Sequence, residues 1–341
     1  MAQLLEKFKN KFPKERFSVG LDIGTSSVKA VKLRFHKDGV ELYGVGFEPA
    51  QFDLEPVVKK IMKPQETDRV NISVSAPAAI IRYVNFPKMS KEELQQALKF
   101  EAQKHIPFAI TEVNLDSYIL KSDLPDNKML VLMAAVKKDF LSQRLKVIES
   151  AGLRANVVDI DSLALVNAFN FNYAEDDNVK NRTVALLNIG ASFSNLSILE
   201  AGIPCLSRDI QIAGNSLTQK ISEAMGLDFK SAEELKLNPD KEKADKLYQA
   251  GESVLSNFAR EIRISFDYYE SQNASSVGKI FLSGAGADFS NLKEMLVNLL
   301  GIEVEYWDPL RQVNIANSLE ADKIRPICGR LAIAMGLALR A

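Results

Sequence analysis

The strongest constraint in this sequence is a block that occurs twice. Phe17 to Gly24 reads FSVGLDIG, and Thr183 to Gly190 reads TVALLNIG. In the first copy Phe17, Val19, Leu21 and Ile23 alternate with their neighbours, which is the period of a strand. A short turn follows in each copy, Gly24-Thr25-Ser26-Ser27 or Gly190-Ala191-Ser192-Phe193, and then a second strand, Val28 to Phe35 or Asn195 to Leu199. The copies superimpose without gaps, with Asp22 on Asn188, Gly24 on Gly190 and Ser26 on Ser192, each pair 166 positions apart. Two strand–turn–strand units separated by about half of a 341-residue chain predict a duplicated, two-lobed α/β fold.

The first lobe carries an insertion. Ile80 to Phe86 predicts a strand that Pro87 ends, and Ser90 with Glu93 forms a capping box for a helix running through Glu101 towards His105 and stopping near Pro107. Strands are expected at Val113 to Leu120 and Met129 to Val136, then a helix capped by Asp139 and ended at Gly152. After the second copy, Gly214 to Tyr269 reads as mainly helical with a polar break at Asn238-Pro239-Asp240. A strand at Lys279 to Leu282 leads into the turn Ser283-Gly284-Ala285-Gly286, then a helix from Asn291 to Leu300, a strand from Glu303 to Trp307 and a last apolar helix from Leu331 to Leu339. The expected division is a basic amphipathic arm over 1–16, a first subdomain from 17–79 and 153–182 completed by a helix at 327–341, and a small inserted α+β subdomain over 80–152. Residues 183–213 and 279–326 form a third subdomain and 214–278 a fourth.

Composition narrows the chemistry. Lys plus Arg number 43 against 44 Asp plus Glu, so the chain lacks the basic excess of a general nucleic-acid binder. Two Cys and two His, with no CxxC, exclude a disulfide scaffold, argue against a zinc cluster and a Ser–His–Asp triad, and suit a reducing compartment. No apolar run approaches the ~20 residues that span a bilayer, which predicts a soluble protein. In the arm, five Lys/Arg accompany Leu4, Leu5, Phe8 and Phe12 at helical spacing, a pattern that suits an anionic membrane surface or a short helix packed on the body.

Glycine-bearing hairpin turns can aim successive backbone N–H groups at a phosphate. Asp22, at the end of its strand beside such a turn, suits a magnesium ion held through water. Lys29 either reaches a phosphate or faces solvent. Taken singly, each turn is an ordinary hairpin, and one GxG after a strand is a weak signal. Gly284, Ala285 and Gly286 acquire meaning from their order, because they follow both hairpins and let backbone lie flat against a planar ligand such as adenine.

Together the three motifs resemble the actin-like ATPase superfamily: DIGTSSVK as the first phosphate motif, NIGASFSNLSIL as the second and LSGAGADFSNL as the adenosine motif. More narrowly, SVSAPAAIIRYVNFPKMSKEELQQALKFEAQKHIPF, VVDIDSLALVNAF, AEELK and AIAMGLALR resemble the type IV pilus assembly PilM family, relatives of the cell-division protein FtsA. The resemblance runs from Phe17 to Arg340. It implies an actin-like ATPase fold, two duplicated lobes around a cleft holding ATP or ADP with Mg2+, and the inserted subdomain in the first lobe. Gly24, Thr25, Ser26 and Ser27 would line the first phosphate turn, and Gly190, Ala191 and Ser192 the second. Glu233 and Lys236 match positions that meet ribose and base, or else belong to an exposed charged helix. Asp161 matches a water-orienting acid, or else caps its helix.

One position departs from the pattern. The second phosphate motif normally begins with Asp, and here it begins with Asn188, which loses a negative charge and gains an NH2 donor. Because positioning and charge stabilisation supply most phosphoryl-transfer catalysis, hydrolysis is expected to be slow or absent. The resemblance implies docking of the cytoplasmic N-terminal tail of a single-pass inner-membrane protein, PilN, at the cytoplasmic face of the inner membrane. It also implies contact with other pilus platform or motor proteins, and it leaves homo-oligomerisation open. His105-Ile106-Pro107-Phe108 is a candidate surface patch, or else a helix terminus with Phe108 in the core. An FtsA-like filament protein and a type II secretion platform relative are the alternatives. The end of the sequence within two residues of its last apolar helix favours the pilus reading over both. A sugar or acetate kinase would need an acid or base beyond Asp161.

Overall fold

The computed structural model describes residues 15–239 and 244–340. The basic arm up to residue 14 and the Asp240 end of the polar break lie outside the described residues. Lobe 1 begins with a meander of β1 (Arg16–Ile23), β2 (Ser27–His36) and β3 (Gly39–Pro49), and α1 (Leu54–Met62) returns the chain to β4 (Arg69–Val74). The insertion follows: β5 (Ala79–Pro87), α2 (Lys91–His105), β6 (Val113–Leu124), β7 (Lys128–Lys137) and α3 (Lys138–Ser150). Lobe 1 resumes at β8 (Arg154–Ile160) and leaves through α4 (Asp161–Tyr173). Lobe 2 repeats the meander as β9 (Thr183–Ile189), β10 (Ser194–Glu200) and β11 (Ile203–Ile210), then adds α5 (Gly214–Met225), α6 (Phe229–Leu237) and α7 (Ala244–Gln272). It closes with β12 (Lys279–Ser283), α8 (Leu292–Leu300) and β13 (Glu303–Tyr306), before β14 (Asn314–Ile315) and α9 (Ala332–Ala338).

The duplication is topological as well as sequential. The lobe 1 sheet runs β14-β3-β2-β1-β4-β8 and the lobe 2 sheet β11-β10-β9-β12-β13. Setting β14 aside, each reads third, second, first, fourth, fifth strand of its lobe, with an antiparallel meander on one side and parallel strands on the other. β9 is buried along its whole length because helices cover both faces of its sheet, which is why TVALLNI is almost continuously apolar. The register places Lys29 opposite Asp22 in lobe 1 and Asn195 opposite Asn188 in lobe 2.

Two helices join the lobes. Phe169 and Tyr173 of α4 pack with Phe281 of β12 and with Trp307, the Phe169 ring centroid lying 4.8 Å from that of Phe281 and 5.3 Å from that of Trp307. Val31, Leu33 and Leu42 of lobe 1 belong to the same apolar cluster, so one core underlies both lobes. α9 lies against α4 and β1 with no room for side chains at the crossings. A Cβ on Gly336 would overlap the Ala164 carbonyl, and one on Gly20 the Ala334 carbonyl.

Three expectations need correction. β14 pairs in parallel with β3, so part of the segment expected in lobe 2 up to residue 326 completes the sheet of lobe 1. Asp139 does not cap α3; the cap position is Lys137, and the Asp139 carboxylate accepts from the adjacent Phe140 N–H. Asp161 does not cap α4 either, because Ile160 holds that position and Asp161 is the first helical residue.

The inserted sheet runs β5-β7-β6. Its helix α2 starts on the expected capping box, with Ser90 accepting from Glu93 N–H and Glu93 accepting from Ser90 N–H, and it buries Leu94 and Leu98 against Phe86, Met129 and Met133. At its end Ile106 is in the core, and Phe108 is half-buried beneath the Lys137 ammonium, 4.6 Å from the ring centroid.

Candidate nucleotide cleft

The two glycine turns are built alike. Gly24 N–H donates to the Ser27 carbonyl at 3.0 Å, and Gly190 N–H donates to the Phe193 carbonyl at 3.0 Å. A Cβ would stand 3.0 Å from the Ser27 oxygen in the first turn and 2.7 Å from the Phe193 oxygen in the second. Close approach of backbone, rather than an unusual φ, is what demands glycine here. The turns face each other across the cleft, and the Ser192 hydroxyl donates to the Thr25 hydroxyl at 3.1 Å.

A third glycine turn closes one side. Gly284 has φ +89°, a conformation that disfavours any side chain, and a Cβ there would stand 2.9 Å from Asn188 Oδ1. Gly286 lies so near the second phosphate turn that a Cβ would sit 2.7 Å from the Gly190 carbonyl oxygen. Gly214, at the start of α5, donates its N–H to that same carbonyl at 3.0 Å. Gly190, Gly214 and Gly286 therefore meet backbone to backbone, and Gly214 is a member of the cleft that sequence reasoning missed.

Lys236 props this junction from beneath. The residue is 4% exposed, and its ammonium lies 2.6 Å from Glu233, 2.8 Å from the Thr218 hydroxyl and 3.2 Å from the Gly214 carbonyl. Glu233 also accepts from Thr218. An exposed charged helix does not describe Lys236; it is a buried, fully engaged cation that fixes α6 on α5.

These features have counterparts in known proteins. A family model described as type IV pilus assembly protein PilM matches residues 20–341. The chain belongs to that family. A solved structure described as a PilM–PilN type IV pilus biogenesis complex contains a chain 26% identical in sequence, with TM-score 0.85 over 95% of this chain and 98% of that one. The actin-like fold is shared with MreB5 of Spiroplasma citri bound to ADP, 12% identical with TM-score 0.50 over 95% of both chains. Cell division protein FtsA of Staphylococcus epidermidis is 19% identical over 86% of this chain and 75% of its own length.

Within this family member the cleft floor is acidic. Asp22, 5% exposed at the end of β1, receives the Lys29 ammonium on Oδ2 at 2.9 Å. Lys29 thus does not face solvent; its ammonium pairs with Asp22 beside the first glycine turn, where a Cβ on Gly24 would stand 3.5 Å from it. Among the described residues no three His, Cys, Asp or Glu side chains cluster as direct metal ligands. That donor set fits Mg2+ anchored through water and carried by phosphates. Asn188 is buried opposite, its Oδ1 accepting from the Ser283 hydroxyl at 3.1 Å.

Asp161 sits at the head of α4 with its carboxyl uncommitted to capping. Burial pushes its pKa up to about 7, and the charges of Asp22 and Asp209 add to the rise, against the lowering effects of the Ser73 hydroxyl and the Arg144 guanidinium. Arg144, on α3, is itself held below its ordinary value, chiefly by burial, and stacks on Phe140 at 5.6 Å. Asp209 ends β11 beside Asn195, whose side-chain amide donates to it, and burial raises its carboxyl. None of Arg144, Asn195 and Asp209 was singled out from the sequence. Asn195 was within reach, because the 166-residue offset that pairs Asp22 with Asn188 also pairs Lys29 with Asn195.

Proposed function

We propose that this protein is an ATP- or ADP-binding component of a type IV pilus assembly platform that docks the cytoplasmic tail of a PilN-like inner-membrane partner. The observation that carries the nucleotide assignment is the pair of matching glycine turns, face to face at Thr25 and Ser192 with the Gly284–Gly286 turn beside them. Gly24, Thr25, Ser26 and Ser27 on one side, and Gly190, Ala191 and Ser192 on the other, would hold the phosphates by backbone N–H groups and short hydroxyls. Gly284, Ala285 and Gly286 would receive the base, with Glu233 at the ribose and Lys236 keeping that wall in place. Asp22 would anchor Mg2+ through water, and the ion would neutralise phosphate charge.

Hydrolysis is slow or absent in this reading. Asp161, poised near neutrality, can orient or deprotonate a water. Asn188 contributes an amide where a carboxylate would fix the ion, and its oxygen is already engaged by Ser283. Membership of the PilM family and the likeness to a PilM–PilN complex support the partner, and the inserted subdomain supplies a surface for it. The sheet there ends on β6, whose outer edge is unpaired among the described residues and could take an extended peptide, with Tyr118 exposed on that strand and Phe100 exposed on α2. Among the described residues no helix is long and apolar enough to cross a membrane. A location at the cytoplasmic face of the inner membrane would come through the partner, with weak direct contact through residues 1–16 as a second route.

The test is titration of the purified chain with the tail peptide of the neighbouring bitopic pilus protein, with and without Mg-ATP. Binding in at least one condition is expected. Failure in both rejects the partner assignment, and failure of Mg-ATP to bind rejects the cleft.

A further inference from the structure

The inserted subdomain does not stand free of lobe 2. The Tyr83 hydroxyl of β5 lies 2.9 Å from the Ser207 hydroxyl of β11, and Ser207 lies 3.1 Å from the Ser197 hydroxyl of β10. Lys121 of β6 reaches Glu200, at the turn between β10 and β11, at 3.4 Å. β5 and β11 are the edge strands of their sheets, so the two open edges meet here across the lobe boundary.

Ser207 is two residues from Asp209 and therefore on the same face of β11. The register sets Ser207 opposite Ser197 and Asp209 opposite Asn195, and Asn195 in turn opposite Asn188. The Asn195 amide donates to Asp209, Ser197 is fully buried, and Asn195 is only 7% exposed. A continuous polar row thus leads from Tyr83 through Ser207 and Ser197, and along the same strands to Asp209, Asn195 and the cleft residue Asn188. The rest of this face is apolar, Val184 and Leu186 of β9 packing into the core shared by the lobes. A displacement of β11 therefore moves the Asp209–Asn195 pair without a soft layer to absorb it.

We propose that β11 is a relay, in which the grip of the inserted subdomain on Ser207 through Tyr83 holds Asp209 and Asn195 in place and so governs how long nucleotide stays in the cleft. The relay rests on the nucleotide assignment made above, and it specifies how the partner-facing subdomain is felt there. Removal of one hydroxyl from the Tyr83–Ser207 contact is the matching perturbation, because it leaves volume and fold in place.

The test uses the full chain and a fluorescent ATP analogue with Mg2+, chased by excess unlabelled ATP. Tyr83→Phe and Ser207→Ala are each expected to speed dissociation about fivefold, the order of one lost hydrogen bond or a modest coupling between sites. The double variant is expected to be no faster than Ser207→Ala alone, because that variant already removes the Tyr83 contact together with the one to Ser197. Unchanged rates in both variants, or effects that multiply in the double variant, overturn the relay while leaving the nucleotide assignment intact. Failure of the unaltered chain to bind the analogue refutes the nucleotide assignment itself and the relay with it. If Tyr83→Phe does not fold, Ser207→Ala carries the measurement alone.

Discussion

Asp161→Asn is expected to stabilise the nucleotide-free protein at alkaline pH, and the gain is expected to shrink as the solution is acidified. The native carboxyl has its pKa pushed up to about 7, from an ordinary 3.8, by burial first and by Asp22 second. A raised carboxyl means that the native state holds its proton more tightly than the unfolded chain does. The protonated form therefore favours folding, and that advantage is complete below about pH 4 and is lost as pH rises towards 7. Above pH 7 the ionised group opposes folding by the full difference, at most about 4 kcal/mol at 1.36 kcal/mol per unit. Asp161 retains some solvent contact, and screening brings the expected figure to about 2 kcal/mol. The amide mimics the neutral acid at every pH. Urea unfolding at pH 8 should show Asp161→Asn more stable by about 2 kcal/mol, with less than half of that gain left at pH 5. A variant less stable than the parent by the same amount at both pH values would refute the reasoning. It would show that Asp161 acts as a hydrogen-bonded structural group rather than a carboxylate held against its own preference.

Other outcomes follow from the same structure. Gly336→Ala should cost about 3 kcal/mol in urea unfolding, because the new methyl meets the Ala164 backbone and neither helix can yield alone. Gly329→Ala, with nothing within 4 Å of the added carbon, should fall within about 0.5 kcal/mol of the parent. Lys236→Met should lower stability by about 2–3 kcal/mol, read by the same unfolding assay, since Glu233, Thr218 and the Gly214 carbonyl lose their shared donor. Asn188→Asp keeps an acceptor for Ser283 and restores the carboxylate; Mg2+-dependent ATP turnover should rise at least about tenfold, and an unchanged rate would show that Asn188 is not what limits hydrolysis.

The repeat was legible because it is carried by local patterns: strand alternation, a glycine turn, and a constant offset. Family resemblance and fold followed from those runs, and the Ser90–Glu93 cap could be read directly because both partners lie within four residues. Asp139 and Asp161 misled for a local reason. Each stands one or two positions inside its helix, where a carboxylate resembles a cap in composition but not in register. β14 was illegible because two residues show no period, and its pairing with β3 is set by a return from the other lobe. The polar side of the cleft was hidden for a tertiary reason. Arg144 arrives from the inserted subdomain, Asp209 from the far strand of lobe 2 and Gly214 from the head of α5. No spacing along the chain announces that Arg144 and Asp209 act on Asp161 or that Gly214 meets Gly190.

The crossing of α9 with β1 and α4 also bears on how the protein is made. Gly20 needs Ala334 against it, and the lobe 1 sheet needs β14, so the N-terminal lobe is finished only when residues beyond 330 have left the ribosome. The lobe 2 sheet, between Thr183 and Tyr306, has all its strands on hand earlier. The sheet encoded second is thus the one whose strands are all present first, and the sheet encoded first waits for β14, while the core beneath both waits for α9.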